Sequence, residues 1–217
     1  MRFSYEKMRP KLLIACGFLI VILVGILLYR EFSSPSIPDI HQVKTITSTP
    51  PSQAKPPSSA QKVNHKVPPT HPKNLKIPKL GINANVYPMG LTSGGAIDAP
   101  KTAWDVGWYE KSALPGENGA MLIDGHVNDS FNTPGVFSQL QDLKSEDSLS
   151  VERGDGKLYT YTVISTEKQP VDHVDMSRLL HAATSKPALH LITCSGQYST
   201  KSKTYSERVI VFAEQEE

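Results

Sequence analysis

The feature that most constrains this chain is an uncharged, mostly apolar run of 18 residues near its N-terminus, residues 12–29. As a helix it would be about 27 Å long, close to the hydrocarbon thickness of a bilayer. Basic residues dominate residues 1–11, so the positive-inside rule predicts a cytoplasmic N-terminus and an extracytoplasmic chain after residue 29. A cleaved signal peptide is the alternative. Its apolar core is usually only about 7–15 residues long and ends at a small-x-small site, whereas Arg30 and Glu31 follow here.

Residues 30–72 have the composition of an extracytoplasmic linker. Half of residues 33–72 are Pro, Ser or Thr, and this stretch contains no Gly, Phe, Trp or Tyr. Such a segment cannot bury enough apolar surface to offset the entropy of ordering it, and its Pro-Pro pairs favour polyproline II. We therefore expect a disordered stalk that ends where a domain begins at residue 73.

Residues 73–217 are long enough for a single domain with a hydrophobic core. Residues 73–217 contain 14 Lys and Arg against 18 Asp and Glu, so this domain is net acidic, which argues against nucleic acid as a partner. Short apolar runs alternate with turn residues, a pattern that predicts an all-β sandwich or barrel. The candidate strands are residues 75–77, 83–87, 120–124, 148–151, 158–165, 188–193 and 208–213.

Two local signals refine this prediction. Asp155-Gly156 lies between two strand patterns and is typical of a hairpin turn. Thr133-Pro134 followed by GVFSQLQDL predicts a short helix, with Thr133 as its cap and Pro134 at the first helical position.

Cys194 is the only cysteine outside the apolar run, which contains Cys16. A single thiol in an exported domain cannot form an internal disulfide, so it indicates either intermolecular pairing or a reactive group. Cys194 follows the apolar segment LHLIT and precedes Ser195-Gly196, which places it at the end of a strand. Reactive side chains are often placed at such positions, although a buried structural cysteine is equally compatible with this pattern.

Arg208 lies 14 positions after Cys194, at the start of the apolar run RVIVFA. The intervening residues are polar and loop-like. In an antiparallel hairpin with a symmetric loop, Cys194 and Arg208 face each other with Cβ atoms roughly 5 Å apart. The arginine can then lower the pKa of the thiol and donate to an oxyanion. A charge that faces solvent from an edge strand is the alternative.

His126 follows the strand pattern AMLIDG and can supply the acid–base group that a cysteine nucleophile needs. His190 lies four residues before Cys194 on the same strand, about 13 Å away, which is too far for a hydrogen bond. His173 and His181 lie in an irregular or short helical stretch, and spacing alone does not separate them from His126. No metal-binding spacing or phosphate loop occurs, so we expect neither a metal nor a cofactor. The G-x-S-x-G motif of a serine hydrolase is also absent.

The segments PGENGAMLIDGH, HLITCSG and ERVIVFA, in this order, resemble the catalytic core of sortases. The resemblance covers nearly all of residues 73–217. Among the sortase classes, the sequence is most similar to class F, with class D or E as alternatives. It implies an eight-stranded β-barrel with short helices, and a catalytic triad of His126, Cys194 and Arg208. Many sortases have the motif Thr-Leu-x-Thr-Cys, which ends in the active-site cysteine. Here His190 replaces the first Thr, while Thr193, a candidate substrate-binding residue, is retained.

The resemblance also implies an activity. A sortase cleaves a Leu-Pro-x-Thr-Gly-type sorting signal at the C-terminus of a secreted protein and transfers the Thr carbonyl to an amine, usually of a peptidoglycan precursor. The expected protein is therefore a monomeric, single-pass membrane enzyme of a Gram-positive-type bacterium, with its catalytic domain outside. An exported cysteine peptidase that releases its product to water, or a catalytically silent wall-binding domain, is the alternative. A pilin-polymerising sortase is disfavoured because no second apolar span follows the last strand.

Overall fold

A computed structural model describes residues 65–216, which form a closed barrel of eight strands. This confirms the predicted all-β, eight-stranded barrel. The predicted span at residues 12–29 lies outside the described residues. The strands are β1 Pro72–Ile77, β2 Ile82–Met89, β3 Val106–Tyr109, β4 Ala120–Gly125, β5 Ser148–Arg153, β6 Leu158–Pro170, β7 Ala188–Ser199 and β8 Thr204–Gln215.

Around the barrel the strand order is β1-β2-β3-β4-β7-β8-β6-β5, and β5 pairs with β1 to close it. Most neighbours are antiparallel, but β4 runs parallel to β7 and β2 runs parallel to β3. The hairpin predicted at Asp155-Gly156 is confirmed and joins β5 to β6. Gly156 has a φ of 87°, a conformation that glycine adopts without the cost of a Cβ.

Two groups of buried apolar side chains lie on opposite faces of the sheet. The larger group takes side chains from all eight strands and fills the barrel interior. The smaller group, which we call the outer-face cluster, lies on the outside of β3, β4, β7 and β8 and consists of Ile97, Tyr109, Leu122, Met176, Leu179, Ile192 and Ile210. Alternation along β7 puts Leu189 and Leu191 inside and Ile192 outside.

Helical structure among the described residues is confined to short segments. The helix α1, Met176–Leu180, begins after Asp175, whose side chain accepts a hydrogen bond from the Ser177 N–H. It contributes Met176 and Leu179 to the outer-face cluster. Three single 3-10 turns occur at Pro78–Leu80, Leu140–Asp142 and Val171–His173. Within residues 65–216, no helix is both long and apolar enough to cross a membrane.

The helix predicted after Thr133 is wrong. Pro134 forms an isolated β-bridge with Asn128, and only the turn Leu140–Asp142 is helical. The reason is that the backbone N–H groups there are used in tertiary contacts. Gly135 donates to the Val127 carbonyl, Val136 to the Ala103 carbonyl and Phe137 to the His126 carbonyl.

Residues 65–71, which their composition assigns to the linker, pack on the barrel. His65 Nε2 lies 2.9 Å from the Val86 carbonyl oxygen, and its ring contacts Tyr87. Gly154 N–H donates to the His71 carbonyl at 2.9 Å. The packed domain therefore begins before residue 73.

Candidate active site

Cys194 and Arg208 are direct partners across the β7–β8 ladder. This confirms the predicted cross-strand pair. The hairpin that carries them is longer than the sequence predicts, because the ladder continues to Ser199 and Thr204 and leaves a turn of only residues 200–203. A register shift between Ser195 and Tyr198 allows this extension, and Gly196 adopts a φ of 78° there.

His126 reaches the same edge of the sheet by a different route. β4 and β7 are parallel, and Asp124 is the partner of Ile192. Two residues further along each strand, the chain arrives at His126 and Cys194, so both side chains are carried by the carboxyl ends of adjacent parallel strands. Sequence spacing does not reveal this proximity, since it depends on strand pairing across more than 60 residues.

All three candidate side chains are buried. The exposed fractions are 5% for His126, 6% for Cys194 and 1% for Arg208. Cys194 and Arg208 share strand parity with Ile192 and Ile210 of the outer-face cluster. The site therefore lies on the outer face of the barrel, not in its interior.

The Arg208 guanidinium is held by the hairpin itself. Nη1 donates to the carbonyls of Tyr205, at 3.0 Å, and Glu207, at 2.8 Å, and Nη2 donates to Thr204 Oγ1 at 2.8 Å. Burial lowers the pKa of Arg208, and the nearby Cys194 thiolate opposes that effect. The guanidinium is thus fixed close to the thiol and electrostatically coupled to it.

His126 Nε2 lies 2.8 Å from the carbonyl oxygen of Pro100 in the segment between β2 and β3. Burial lowers the pKa of His126, while this hydrogen bond acts in the opposite direction. Among the other histidines considered, His173 and His181 are exposed, and His190 Nδ1 bonds to the Leu179 carbonyl at 2.9 Å.

Two hydrogen bonds tie the elements of the site together. Thr193 Oγ1 donates to the Gly125 carbonyl at 2.7 Å, which joins β7 to β4 immediately before His126. Tyr205 donates its hydroxyl to Asn128 Oδ1 at 2.7 Å, which joins β8 to the loop after His126. The structure therefore gives the Thr193 hydroxyl a backbone partner within the barrel wall.

Asp124 is a buried carboxyl that the sequence reasoning missed. It lies two residues before His126, and burial raises its pKa well above the usual value, with Asp98 adding to the effect. Its Oδ1 has no hydrogen-bond partner among the described residues and lies against Gly107, where the missing Cβ leaves room for it. One acidic residue within the apolar pattern AMLIDG was the available signal.

The hollows formed by residues 65–216 include two on the surface of the domain. One of about 260 Å³ is lined by Asn83, Trp104 and Gln139, and one of about 300 Å³ by Arg178, His190 and Phe212, among others. Neither wall includes the three candidate residues. No group of His, Cys, Asp and Glu side chains within residues 65–216 is arranged to hold a metal ion.

A thiol paired with a guanidinium, and a histidine at the adjoining strand end, are typical of enzymes that use a cysteine nucleophile. A family profile described as a sortase domain matches residues 75–216. The match covers more than half of the chain, so the protein belongs to the sortase family of cysteine transpeptidases. No curated protein matches the sequence.

Solved structures that resemble the chain are also sortases. Pilus-related sortase C of Group B Streptococcus has a TM-score of 0.55 at 17% identity, covering 81% of this chain and 80% of that one. The lid mutant of sortase A from Corynebacterium diphtheriae has a TM-score of 0.53 at 23% identity, covering 72% and 76%. Sortase C-1 from Actinomyces oris has a TM-score of 0.52 at 22% identity, covering 73% and 80%. At these identities the likeness concerns the fold.

Proposed function

We propose that this sortase joins proteins carrying a Leu-Pro-x-Thr-Gly-type signal to an amine, with Cys194 as nucleophile, Arg208 as oxyanion donor and His126 as acid–base group. The observation that carries the proposal is the cross-strand pair of Cys194 and Arg208, next to the strand end that leads into His126. The order and chemistry of the three groups match the needs of acyl transfer.

In the first half-reaction, the Cys194 thiolate attacks the carbonyl carbon of the signal threonine. Arg208 stabilises the negative charge on the carbonyl oxygen, a role worth about 3–4 kcal/mol per donor. The Thr–Gly C–N bond then breaks, and protonated His126 gives its proton to the leaving glycine amine. The products are a Cys194 thioester and a free glycine-led peptide.

In the second half-reaction, a neutral amine attacks the thioester carbonyl. Neutral His126 takes the proton that this amine loses, and the C–S bond breaks to regenerate the thiolate. The net result is exchange of one amide bond for another. The imidazole returns to its protonated state and the thiol to its ionised state, so the cycle closes.

The acceptor that we propose is the amine of a peptidoglycan precursor at the outer face of the membrane. The support is the apolar run at residues 12–29, which would anchor the chain, and the linker that would hold the domain near a lipid-linked acceptor. We place the protein in class F, with class D or E as the alternatives, on the GWY and LITCSG segments.

The test is mass spectrometry of the full chain in detergent, mixed with a signal peptide and with or without a small amine. We expect a thioester on Cys194 and, when the amine is present, a ligated peptide. The matched control is Cys194→Ser, which replaces the thiol with a hydroxyl of similar size. Turnover by Cys194→Ser equal to that of the native chain would refute the assignment of the nucleophile.

The same experiment separates the alternatives. Hydrolysed peptide at an unchanged rate, with no ligated product at any amine concentration, identifies a cysteine peptidase. No thioester, no turnover and no reaction of Cys194 with a thiol-specific probe identifies a silent binding domain.

A further inference from the structure

The hydrogen bond between His126 and Pro100 determines which nitrogen of the imidazole carries a proton. The Pro100 carbonyl oxygen can only accept, so Nε2, 2.8 Å away, must be the donor. A neutral imidazole has one N–H and one lone pair. In the neutral state the lone pair of His126 therefore lies on Nδ1.

The Pro100 carbonyl is held by a braced loop, residues 98–105. The Thr102 hydroxyl donates to Asp105 Oδ2 at 2.7 Å and accepts the backbone N–H groups of Asp105, at 3.2 Å, and Trp104, at 3.3 Å. The Ala103 carbonyl accepts the Val136 N–H at 2.7 Å. The loop is therefore held by hydrogen bonds within itself, through Thr102, and by one hydrogen bond to the segment after His126.

Close packing beneath the loop also restrains Pro100. A Cβ added to Gly107 of β3 would lie 3.3 Å from Pro100 Cγ, so the missing side chain lets the proline ring approach the sheet. Pro100 is buried and its own φ is fixed by its ring. The packing of the ring therefore restricts movement of the residue whose carbonyl accepts the His126 hydrogen bond.

We propose that the loop 98–105 is a positioning element that commits His126 to the Nε2–H tautomer, so that Nδ1 gives and takes the proton in both half-reactions. Thr102 is its principal positioning residue. The Nε2 proton stays on Nε2, hydrogen-bonded to the Pro100 carbonyl, throughout. Nδ1 releases its proton to the leaving glycine amine and regains one from the incoming amine. This deepens the role proposed for His126 and rests on it.

The first measurement reads the tautomer directly. In full-length chain labelled with ¹⁵N-histidine, the chemical shifts of the two ring nitrogens distinguish an N–H from a lone pair, and a His126→Gln variant assigns the signal. We expect Nε2–H in the neutral form. A neutral native His126 that carries its proton on Nδ1 overturns the proposal, whatever the variants do.

The second measurement compares Thr102→Val with Thr92→Val. Thr92 accepts one backbone N–H, from Ala96 at 3.2 Å, in the neighbouring hairpin and does not brace Pro100. For Thr102→Val we expect both tautomers of His126, because the Nε2–H group loses the fixed Pro100 carbonyl as its acceptor. We expect kcat to fall by about tenfold, with little change in KM. Thr92→Val should behave like the native chain, and Thr102→Ser should restore both readouts.

A Thr102→Val chain that keeps the native tautomer overturns the role of Thr102. If this variant does not fold, Thr102→Ala provides the same comparison, and the native spectrum still decides the tautomer. A native chain that forms no thioester on Cys194 instead refutes the proposed function, since the tautomer is measured without turnover.

Discussion

Arg208 is the most informative single residue, because a fully buried guanidinium is expensive unless it is paired and hydrogen-bonded. Three of its hydrogen bonds go to its own hairpin, at Thr204, Tyr205 and Glu207. These bonds fix the cation beside the Cys194 thiol, where it can stabilise a negative charge that develops there.

Arg208→Lys should therefore lower kcat much more than it raises KM. Lysine keeps the positive charge but lacks the rigid fork that Arg208 uses to hold two carbonyls while facing the thiol. We expect kcat to fall by about 10²–10³. The matched control is Arg153→Lys. The native Arg153 guanidinium donates two hydrogen bonds to the Asp155 carboxylate at the β5–β6 turn, away from the site. Steady-state kinetics in which both variants match the native chain would contradict an oxyanion role.

The second half-reaction should depend on pH through His126. Burial lowers the pKa of His126 below its usual 6.5, so the neutral form that accepts a proton predominates at neutral pH. With an amine that remains unprotonated, kcat/KM for the acceptor should rise with pH through a midpoint below 6.5 and then level off. A midpoint above 6.5 would contradict this environment for the acid–base group.

At this scale the sequence identifies side chains better than it identifies backbone groups. Cys194 and Arg208 could be paired because a local hairpin relates them. His126 could not be separated from His173 and His181 by spacing, since its position depends on the long-range pairing of β4 with β7. The Pro100 carbonyl was not predictable, because every residue has a carbonyl and only the fold selects this one.

At the scale of elements, seven strands were predicted, and the eighth, β3, was missed. β3 has four residues, all buried, and therefore shows no alternation of apolar and polar side chains. The polar residues after Cys194 were interpreted as a loop, yet the ladder continues through them. Tyr198 and Tyr205 contact each other edge to face across this extension, with ring centroids 5.3 Å apart, so a side-chain pair outside the core supports it.

The register of that hairpin depends on Gly196. Its φ of 78° favours glycine, and a Cβ there would collide with the Ser206 side chain. Gly196→Ala should destabilise the fold by about 1–2 kcal/mol from backbone strain and shift Cys194 relative to Arg208, which lowers kcat. Gly156→Ala is the matched control. Its φ is 87° with open space around it, at the β5–β6 turn, so it should lose similar stability with native kcat.

Thermal unfolding and kinetics of these two variants together test whether the register at Gly196 aligns Cys194 with Arg208. Equal losses of stability with a loss of kcat only in Gly196→Ala support the importance of register. Native kcat in a folded Gly196→Ala chain would show that the alignment of Cys194 and Arg208 tolerates the shift.

At the scale of the molecule, contacts with the barrel begin before the predicted domain boundary. Composition assigns residues 65–71 to the linker, because the pair Pro68-Pro69 favours polyproline II over a strand. Their backbone groups nevertheless bond to the β5–β6 turn, where Gly154 donates to His71 and Asp155 donates to Pro69. The His71 ring also contacts Trp108, with centroids 5.0 Å apart. Linker composition alone therefore does not reveal where packing starts.

Gly154 provides a test of this boundary in the full chain. A Cβ at Gly154 would collide with the Pro68 carbonyl oxygen, so Gly154→Ala should displace residues 68–71 from the barrel. We expect the free energy of unfolding to fall by about 1–3 kcal/mol, as for other overpacked sites, and trypsin to cleave after Lys66 faster. Gly94→Ala is the control, since its nearest neighbour would be an ordinary 3.7 Å contact. If both variants are cleaved after Lys66 at the native rate, residues 65–71 do not stabilise the domain, and its boundary lies where composition places it.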